Sequence, residues 1–406
     1  MALIVQKFGG TSVANIDRIR NVAQRVAKMR DAGNQVVVIL SAMAGVTDNL
    51  IEMAHAASPQ PDKREMDVLL ATGEQTTAAL LAMMLQSQNY AAVSMLGHQV
   101  RVQTDCAYGN ARIVDIDSRR LLDLAQKGTI VVIAGFQGCD PAGNITTLGR
   151  GGSDTSAVAV AAAMQADMCE IYTDVDGIYT ADPNVCPQAR KLDRVSYDEM
   201  LNMASLGAKV LQIRSVGFAK KFNVPVHVRS SFSEEEGTMV VNEESSMESL
   251  VVSAVTHDKD QARITLKNVP DQPGIAAKIF GPISEAGIVV DMIIQNTLSS
   301  GETDLTFSVP RSDFARAIKI EKQVMEATGA EEVYGDDTIA KVSVIGVGMR
   351  NHSGVAAKMF QVLSEANINI IMISTSEIRI SCVIDEIYTE LAVRVLHKAF
   401  GLDVEE

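Results

Sequence analysis

No tryptophan occurs in the chain, and its five cysteines, Cys106, Cys139, Cys169, Cys186 and Cys382, are odd in number and scattered. With no Cys-x-x-Cys pair and no histidine at zinc spacing, nothing points to a disulfide framework or a zinc site, and reduced thiols with packing roles are expected. Basic clusters are missing as well. The net charge is −14 and no run of Lys and Arg could neutralise a row of phosphates, so nucleic acid is not an expected partner. No apolar run reaches the roughly 18 residues of a membrane-spanning helix. The N-terminus enters the strand-like Ala2-Leu3-Ile4-Val5 without a signal-peptide layout. Together these features read as a cytoplasmic chain with no membrane partner.

What is present is enough sequence for more than one core: 406 residues, 47% hydrophobic and 21% charged, a soluble globular balance. The first half alternates continuous apolar runs with helical stretches, the pattern of an α/β domain with a buried parallel sheet. The runs are Ala2 to Val5, Gln35 to Leu40, Ala91 to Leu96, Thr129 to Ala134 and Met168 to Thr173. Between them, Ile16, Ile19, Val22, Val26 and Met29 form an amphipathic stripe, and Thr155 to Ala166 predicts a helix of small residues with almost no polar face. A strand at Val224 to Arg229 and a return strand at Thr238 to Val241 close this domain. The polar, acidic Asn242 to Ser246 marks its boundary, giving domains 1–244 and 245–406.

The second part repeats itself. Gly274-Ile-Ala-Ala-Lys-Ile-Phe and Gly354-Val-Ala-Ala-Lys-Met-Phe align at a constant offset, 354 − 274 = 80. Each copy, about 263–335 and 340–406, reads strand, glycine-started helix, strand, strand, helix, the order of a ferredoxin-like unit. In the first copy the strands are Arg263 to Val269, Val289 to Ile294 and Thr303 to Val309. The strand 250–255 is expected to join the second copy.

Two glycine-rich strings open helices. In Lys7-Phe8-Gly9-Gly10-Thr11-Ser12, glycines allow close backbone approach to a phosphate, the helix N-terminus offers free N–H donors and Lys7 adds charge. An ordinary tight turn beside a surface lysine would leave the same string. In Gly149-Arg150-Gly151-Gly152-Ser153-Asp154-Thr155, Asp154 and Thr155 could simply cap the helix. Neither string is a Walker A loop or a G-x-G-x-x-G fingerprint. A third string, Tyr172 to Pro183, carries carboxylates that suit either turns or a nucleotide.

Taken in order, K-F-G-G-T-S at Lys7 to Ser12, G-R-G-G-S-D-T-S at Gly149 to Ser156, Y-T-D-V-D-G-I-Y-T-A-D-P at Tyr172 to Pro183 and G-A-K-V-L at Gly207 to Leu211 resemble the aspartate kinases of the amino acid kinase superfamily. The repeated modules resemble ACT domains, with Asp271-Gln272-Pro273-Gly274 as the ligand turn. The second copy departs from it with Asn351-His352-Ser353-Gly354.

The resemblance implies a three-layer kinase domain with a mostly parallel sheet followed by two tandem ferredoxin-like ACT domains. It implies transfer of the ATP γ-phosphoryl group, with Mg²⁺, to the β-carboxylate of L-aspartate, the first step towards lysine, threonine and methionine. It assigns Lys7, Asp154 and Lys209 to catalysis, with Asp154 holding both lysines. Arg150 and Glu74 answer the α-carboxylate and the ammonium of aspartate, with hydroxyl contacts from Ser41, Thr47 and Ser153. Nucleotide contacts fall to Lys7, Phe8, Gly9, Gly10, Thr173, Asp174, Tyr179, Asp182, Lys209 and Val210, with Mg²⁺ carried by phosphate and water rather than by a protein cage. Lysine, threonine or both are expected near Asp271, Gly274, Ile275, Ala276, Asp291, Gln295, Asn367 and Ile368. The assembly is a homo-oligomer, or a heterotetramer whose smaller chain starts near Met247.

Other members of the superfamily, such as acetylglutamate, glutamate 5- and uridylate kinases, fit poorly with the ACT-like pair. A catalytically silent amino-acid sensor is the reading from a different class. Every position needed for chemistry nevertheless carries a functional residue type.

Overall fold

A computed structural model describes residues 1–208, 210–243, 251–297 and 301–404, which form two compact units. The first comprises Met1–Tyr179, Lys191–Ser205 and Lys209–Ser246, the second Thr180–Arg190, Leu206–Ala208 and Met247–Glu406. Lys209, Met247 and the boundary expected at 244/245 lie outside the described residues.

The first unit is built on eight strands: β1 (Leu3–Phe8), β2 (Gln35–Leu40), β3 (Ala92–Met95), β4 (Ile130–Ala134), β5 (Met168–Thr173), β6 (Arg194–Ser196), β7 (Val226–Ser230) and β8 (Thr238–Val241), in the order β6-β8-β7-β5-β1-β2-β4-β3. All pairings are parallel except β7 with β8. Successive residues of β2 are buried on opposite faces, as a sheet covered on both sides requires.

On one face α1 (Ile16–Asp31) and α3 (Lys63–Ser87) bury Ile19, Val22, Val26, Leu81 and Leu85 against Val36, Val38, Leu40 and Val132. On the other lie α4 (Arg119–Gln126) and α5 (Gly152–Met164). Helices α2 (Val46–Ala57), α6 (Tyr197–Ser205) and α7 (Ile213–Phe222) complete the layers, with α7 against α5. Among the described residues α3 alone is long and apolar enough to cross a membrane by length and composition, and half of that window is buried. It carries Asp67 and Glu74, both buried.

Four short strands, Val102–Thr104, Ile113–Ile116, Gln137–Cys139 and Ile145–Thr147, make a separate small sheet that the sequence pattern did not predict. Ile113–Ile116 has no fully buried residue, so the apolar periodicity that betrays a core strand is missing from it.

The second unit holds a six-stranded antiparallel sheet: β9 (Ala254–Pro270), β10 (Ile293–Thr297), β11 (Glu302–Val309), β12 (Glu332–Ile345), β13 (Met372–Ser376) and β14 (Arg379–Asp385), ordered β10-β11-β9-β12-β14-β13. Four helices lie on it: α8 (Ile275–Glu285), α9 (Phe314–Thr328), α10 (Val355–Glu365) and α11 (Thr389–Ala399). The repeat is structural. Ile275, Ile279 and Ile283 of α8 are buried, and so are Val355, Met359 and Leu363 of α10. Gly274 and Gly354 begin the two helices with φ of 90° and 106°, a left-handed turn that favours glycine although a Cβ would meet nothing.

The start of β9 pairs with the end of β12, Ala254 with Ile345, so the sheet strand of the second module comes from in front of the first. The excursion Thr180–Arg190 is packed inside this unit. Ala181 and Cys186 join the core of Val342, Met359 and Leu396, and Thr180 Oγ1 lies 2.8 Å from His397 Nε2.

One expected strand is displaced. Val289 to Ile294 was predicted, but the strand begins at Ile293, because Val289 is 69% exposed and its side chain contributes nothing to the core.

Candidate active site

The end of β1 delivers Lys7 into the interior of the first unit. Lys7 is 8% exposed, and its ammonium sits 2.5 Å from the carboxylate of Asp154 in the first turn of α5. A cation this deep needs a counter-ion to stay charged, and the N-terminus of α5 favours the carboxylate that supplies it. Beyond Lys7 the chain turns through Gly9, whose N–H donates to the Tyr172 carbonyl at 3.2 Å, and Gly10, whose carbonyl accepts from Ala44 N–H at 3.2 Å.

A second wall comes from the end of β2. The Ala42 N–H donates to Glu74 Oε1 at 3.0 Å, while the other carboxyl oxygen, Oε2, is buried without a partner. Burial pushes the Glu74 carboxyl up to about 7, against the opposing pull of the Ala42 N–H. A third wall is the turn Gly149-Arg150-Gly151, where both glycines are left-handed, at φ 77° and 72°. A side chain on Gly151 would meet Gln212 Cγ at 2.2 Å.

These walls enclose a cavity of about 310 Å³ lined by Lys7, Gly10, Ser41, Thr47, Glu74, Arg150, Ser153 and Asp154. Asp48 and Phe136, which the sequence did not single out, line it too. A cavity with a paired ammonium, a guanidinium and a carboxyl left half-satisfied suits a small zwitterion bearing more than one carboxylate.

Of the expected nucleotide residues, Lys7 and Gly10 line this cavity, whereas Phe8, Gly9, Thr173, Asp174, Tyr179 and Val210 are not part of its lining. Phe8 is fully buried and stacked on Tyr172 at 4.6 Å, so its side chain belongs to the core and only its backbone can meet a ligand. Thr173 Oγ1 donates to Asp174 at 3.1 Å. Tyr179 donates to Asp176 at 3.0 Å, and burial together with that carboxylate pushes its hydroxyl up to about 12. Asp182 falls in the second unit, where its carboxylate accepts from the Asn184 N–H at 2.9 Å. Val210 is half-buried.

The matching family models are the amino acid kinase family over residues 2–230 and the ACT domain over 267–323 and 342–400. The aspartokinase of Pseudomonas aeruginosa is 56% identical over 405 residues, covering 99% of this chain and 98% of that protein. The chain belongs to the aspartate kinases.

Among solved structures, Escherichia coli aspartokinase III with aspartate and ADP in its R-state matches this aspartate kinase with a TM-score of 0.82 and 27% identity, over 98% of this chain and 99% of that one. The same enzyme with lysine and aspartate in its T-state gives a TM-score of 0.78 over the same shares.

In the regulatory unit the expected effector residues divide. Asp271, Gly274, Ala276, Gln295 and Asn367 are exposed, whereas Ile275 and Ile368 are buried in the two module cores and offer only backbone. Asp291 precedes β10 rather than lying within a strand, and it is ion-paired with Lys341, itself 3% exposed. No sequence pattern hints at this pair, because a lysine inside a sheet strand reads as an outward-facing residue.

Proposed function

We propose that this aspartate kinase binds L-aspartate in the cavity of the first unit and phosphorylates its β-carboxylate to give 4-phospho-L-aspartate and ADP. One observation carries the reading: the Lys7–Asp154 pair, Glu74 and Arg150 line a single cavity. Arg150 grips the α-carboxylate, Glu74 takes the ammonium, and the hydroxyls of Ser41, Thr47 and Ser153 fix the remaining oxygens. The β-carboxylate is already ionised at neutral pH and needs no general base. Its oxygen bonds to the γ-phosphorus as the bond to the bridging oxygen breaks, and ADP leaves with that electron pair. Lys7, held by Asp154, meets the charge on the transferring group, with Lys209 completing the clamp.

On this reading ATP lies along Phe8 to Gly10, Thr173, Asp174, Tyr179 and Val210. Mg²⁺ would enter with the nucleotide, carried by phosphate oxygens and water, and would neutralise charge on the phosphates. The setting is cytoplasmic amino-acid biosynthesis, in a homo-oligomer or with a smaller chain begun near Met247. Intact masses from the untagged gene decide between those assemblies.

Arg150→Ala tests the substrate assignment by raising the aspartate KM with little change in kcat; an unchanged KM contradicts it. Glu74 adds a pH signature. The bound ammonium favours its ionised form, so aspartate binding lowers the Glu74 pKa from about 7 and releases a proton. The aspartate KM therefore rises as pH falls from 8 to 6 while the ATP KM stays flat, and Glu74→Gln removes the slope. A flat wild-type profile would count against Glu74 as the ammonium site.

Lysine or threonine acts at the regulatory modules. A ligand ammonium at Asp291 must share or displace Lys341, so Asp291→Ala is expected to weaken inhibition while sparing uninhibited kcat. Inhibition constants unchanged for both amino acids would remove Asp291 from the effector site.

A further inference from the structure

The turn that carries Arg150 is held by side chains outside the cavity. Arg214, in the first turn of α7, donates to three neutral acceptors: Leu148 O at 2.5 Å, Ala111 O at 2.9 Å and Asn110 Oδ1 at 3.1 Å. A cation at a helix N-terminus is electrostatically misplaced. Burial and the nearby Arg112 also disfavour its charge, with only Asp105 opposing them. What the guanidinium gains there is geometry. Its planar fork bridges the Asn110–Ala111 loop to the residue immediately before Gly149.

The same helix start holds the turn a second time, for Gln212 Nε2 donates to the Arg150 carbonyl at 3.1 Å while its Oε1 accepts from Ile213 N–H at 2.9 Å. From the opposite side, fully buried Asp67 of α3 accepts from Thr147 N–H at 2.7 Å, Thr147 Oγ1 at 2.7 Å and Gly109 N–H at 3.0 Å. Asp67 and Glu74 are seven residues apart, two turns along one face of α3. The helix that presents the ammonium partner therefore also anchors the loop that presents the guanidinium.

We propose that Arg214 is a positioning residue for aspartate capture, locking the Gly149–Gly151 turn so that Arg150 meets the α-carboxylate. Arg214 does not line the cavity and acts only through that turn. The proposal rests on the reading of Arg150 given above. An exposed arginine on a glycine-flanked turn loses much orientational freedom on binding, and a turn fixed in advance leaves less to lose.

Kinetics of Arg150→Ala, Arg214→Ala, Arg214→Lys and the Arg150→Ala/Arg214→Ala double variant test it, with thermal melting as the folding control. Arg214→Ala is expected to raise the aspartate KM about tenfold and to leave the ATP KM within about twofold. Arg214→Lys, a point charge that reaches fewer of the three acceptors, falls between wild type and alanine. In the Arg150→Ala background the second substitution adds less than about twofold, because its effect passes through Arg150. If Arg150→Ala raises the aspartate KM but Arg214→Ala and Arg214→Lys do not, or if the two effects multiply, the positioning role is wrong. If Arg150→Ala itself leaves KM unchanged, the substrate reading falls and the proposal with it. Should Arg214→Ala fail to fold, Arg214→Lys alone decides by the presence or absence of the intermediate KM.

Discussion

Lys7→Ala is expected to lower kcat by at least about a thousandfold, roughly 4 kcal/mol of transition-state stabilisation, while the aspartate KM changes only a few-fold. Two anions must be brought together for phosphoryl transfer, and the charge to be met grows on the transferring group as its old bond breaks. Lys7 is 8% exposed, so its ammonium acts where water screens it little, and Asp154 at 2.5 Å fixes its position before substrate arrives. Losing it costs the transition state more than the ground state. Asp154→Asn should give a smaller fall in kcat, since the ammonium remains but its anchor is neutral. Steady-state kinetics with both substrates varied give the answer. A Lys7→Ala enzyme that melts normally and keeps kcat within about tenfold would remove Lys7 from the chemistry.

The second large effect lies in the regulatory unit. Glu321 of α9 is fully buried, and neither carboxyl oxygen has a hydrogen-bond partner. It falls on the stripe formed with Ala317 and Met325, which packs into the core of Ile264, Ile279 and Phe307. The repeat shows what that position ordinarily takes. Residues of α11 align with α9 at an offset of 75, Ala392 with Ala317 and Val393 with Ile318, which places fully buried Leu396 opposite Glu321.

Burial raises the Glu321 carboxyl from its ordinary 4.5 to about 7, with no charged side chain contributing among the described residues. Between those values the folded chain binds a proton that the unfolded chain has released, so stability is full below about 4.5 and declines as pH rises through 7. The cost at pH 8 is roughly 3 kcal/mol. Glu321→Leu is therefore expected to stabilise the regulatory transition by about that amount at pH 8 and by far less at pH 5. Urea unfolding at the two pH values measures it, and equal gains at both would show that the carboxyl is not the source.

Much of the kinase sheet was legible because its strands are buried on both faces. Gln35–Leu40, Met168–Thr173 and Thr238–Val241 begin and end where their apolar runs do. The repeat was equally legible, since α8 and α10 carry their buried residues at matching positions. Of the cavity lining, Lys7, Gly10, Arg150, Ser153 and Asp154 lie in the motif strings, whereas Asp48 and Phe136 lie outside them and carried no signal.

What escaped the sequence were single polar residues whose value is positional. Asp67 sits in an apolar helix and Arg214 at the start of another, and each reads as a solvated helical face until its partners, 80 and 66 residues away for Thr147 and Leu148, are brought to it. The excursion Thr180–Arg190 was equally hidden. Its Asp, Pro and Asn residues signal turns, while the apolar surface that buries Ala181 and Cys186 comes from residues beyond 250.

The most direct test of the account is a crystal structure of the chain with L-aspartate and ADP. The account predicts the α-ammonium on the free Oε2 of Glu74, the α-carboxylate on Arg150, and the β-carboxylate turned towards Lys7. Aspartate bound with its ammonium away from Glu74, or outside the cavity these residues line, would contradict it.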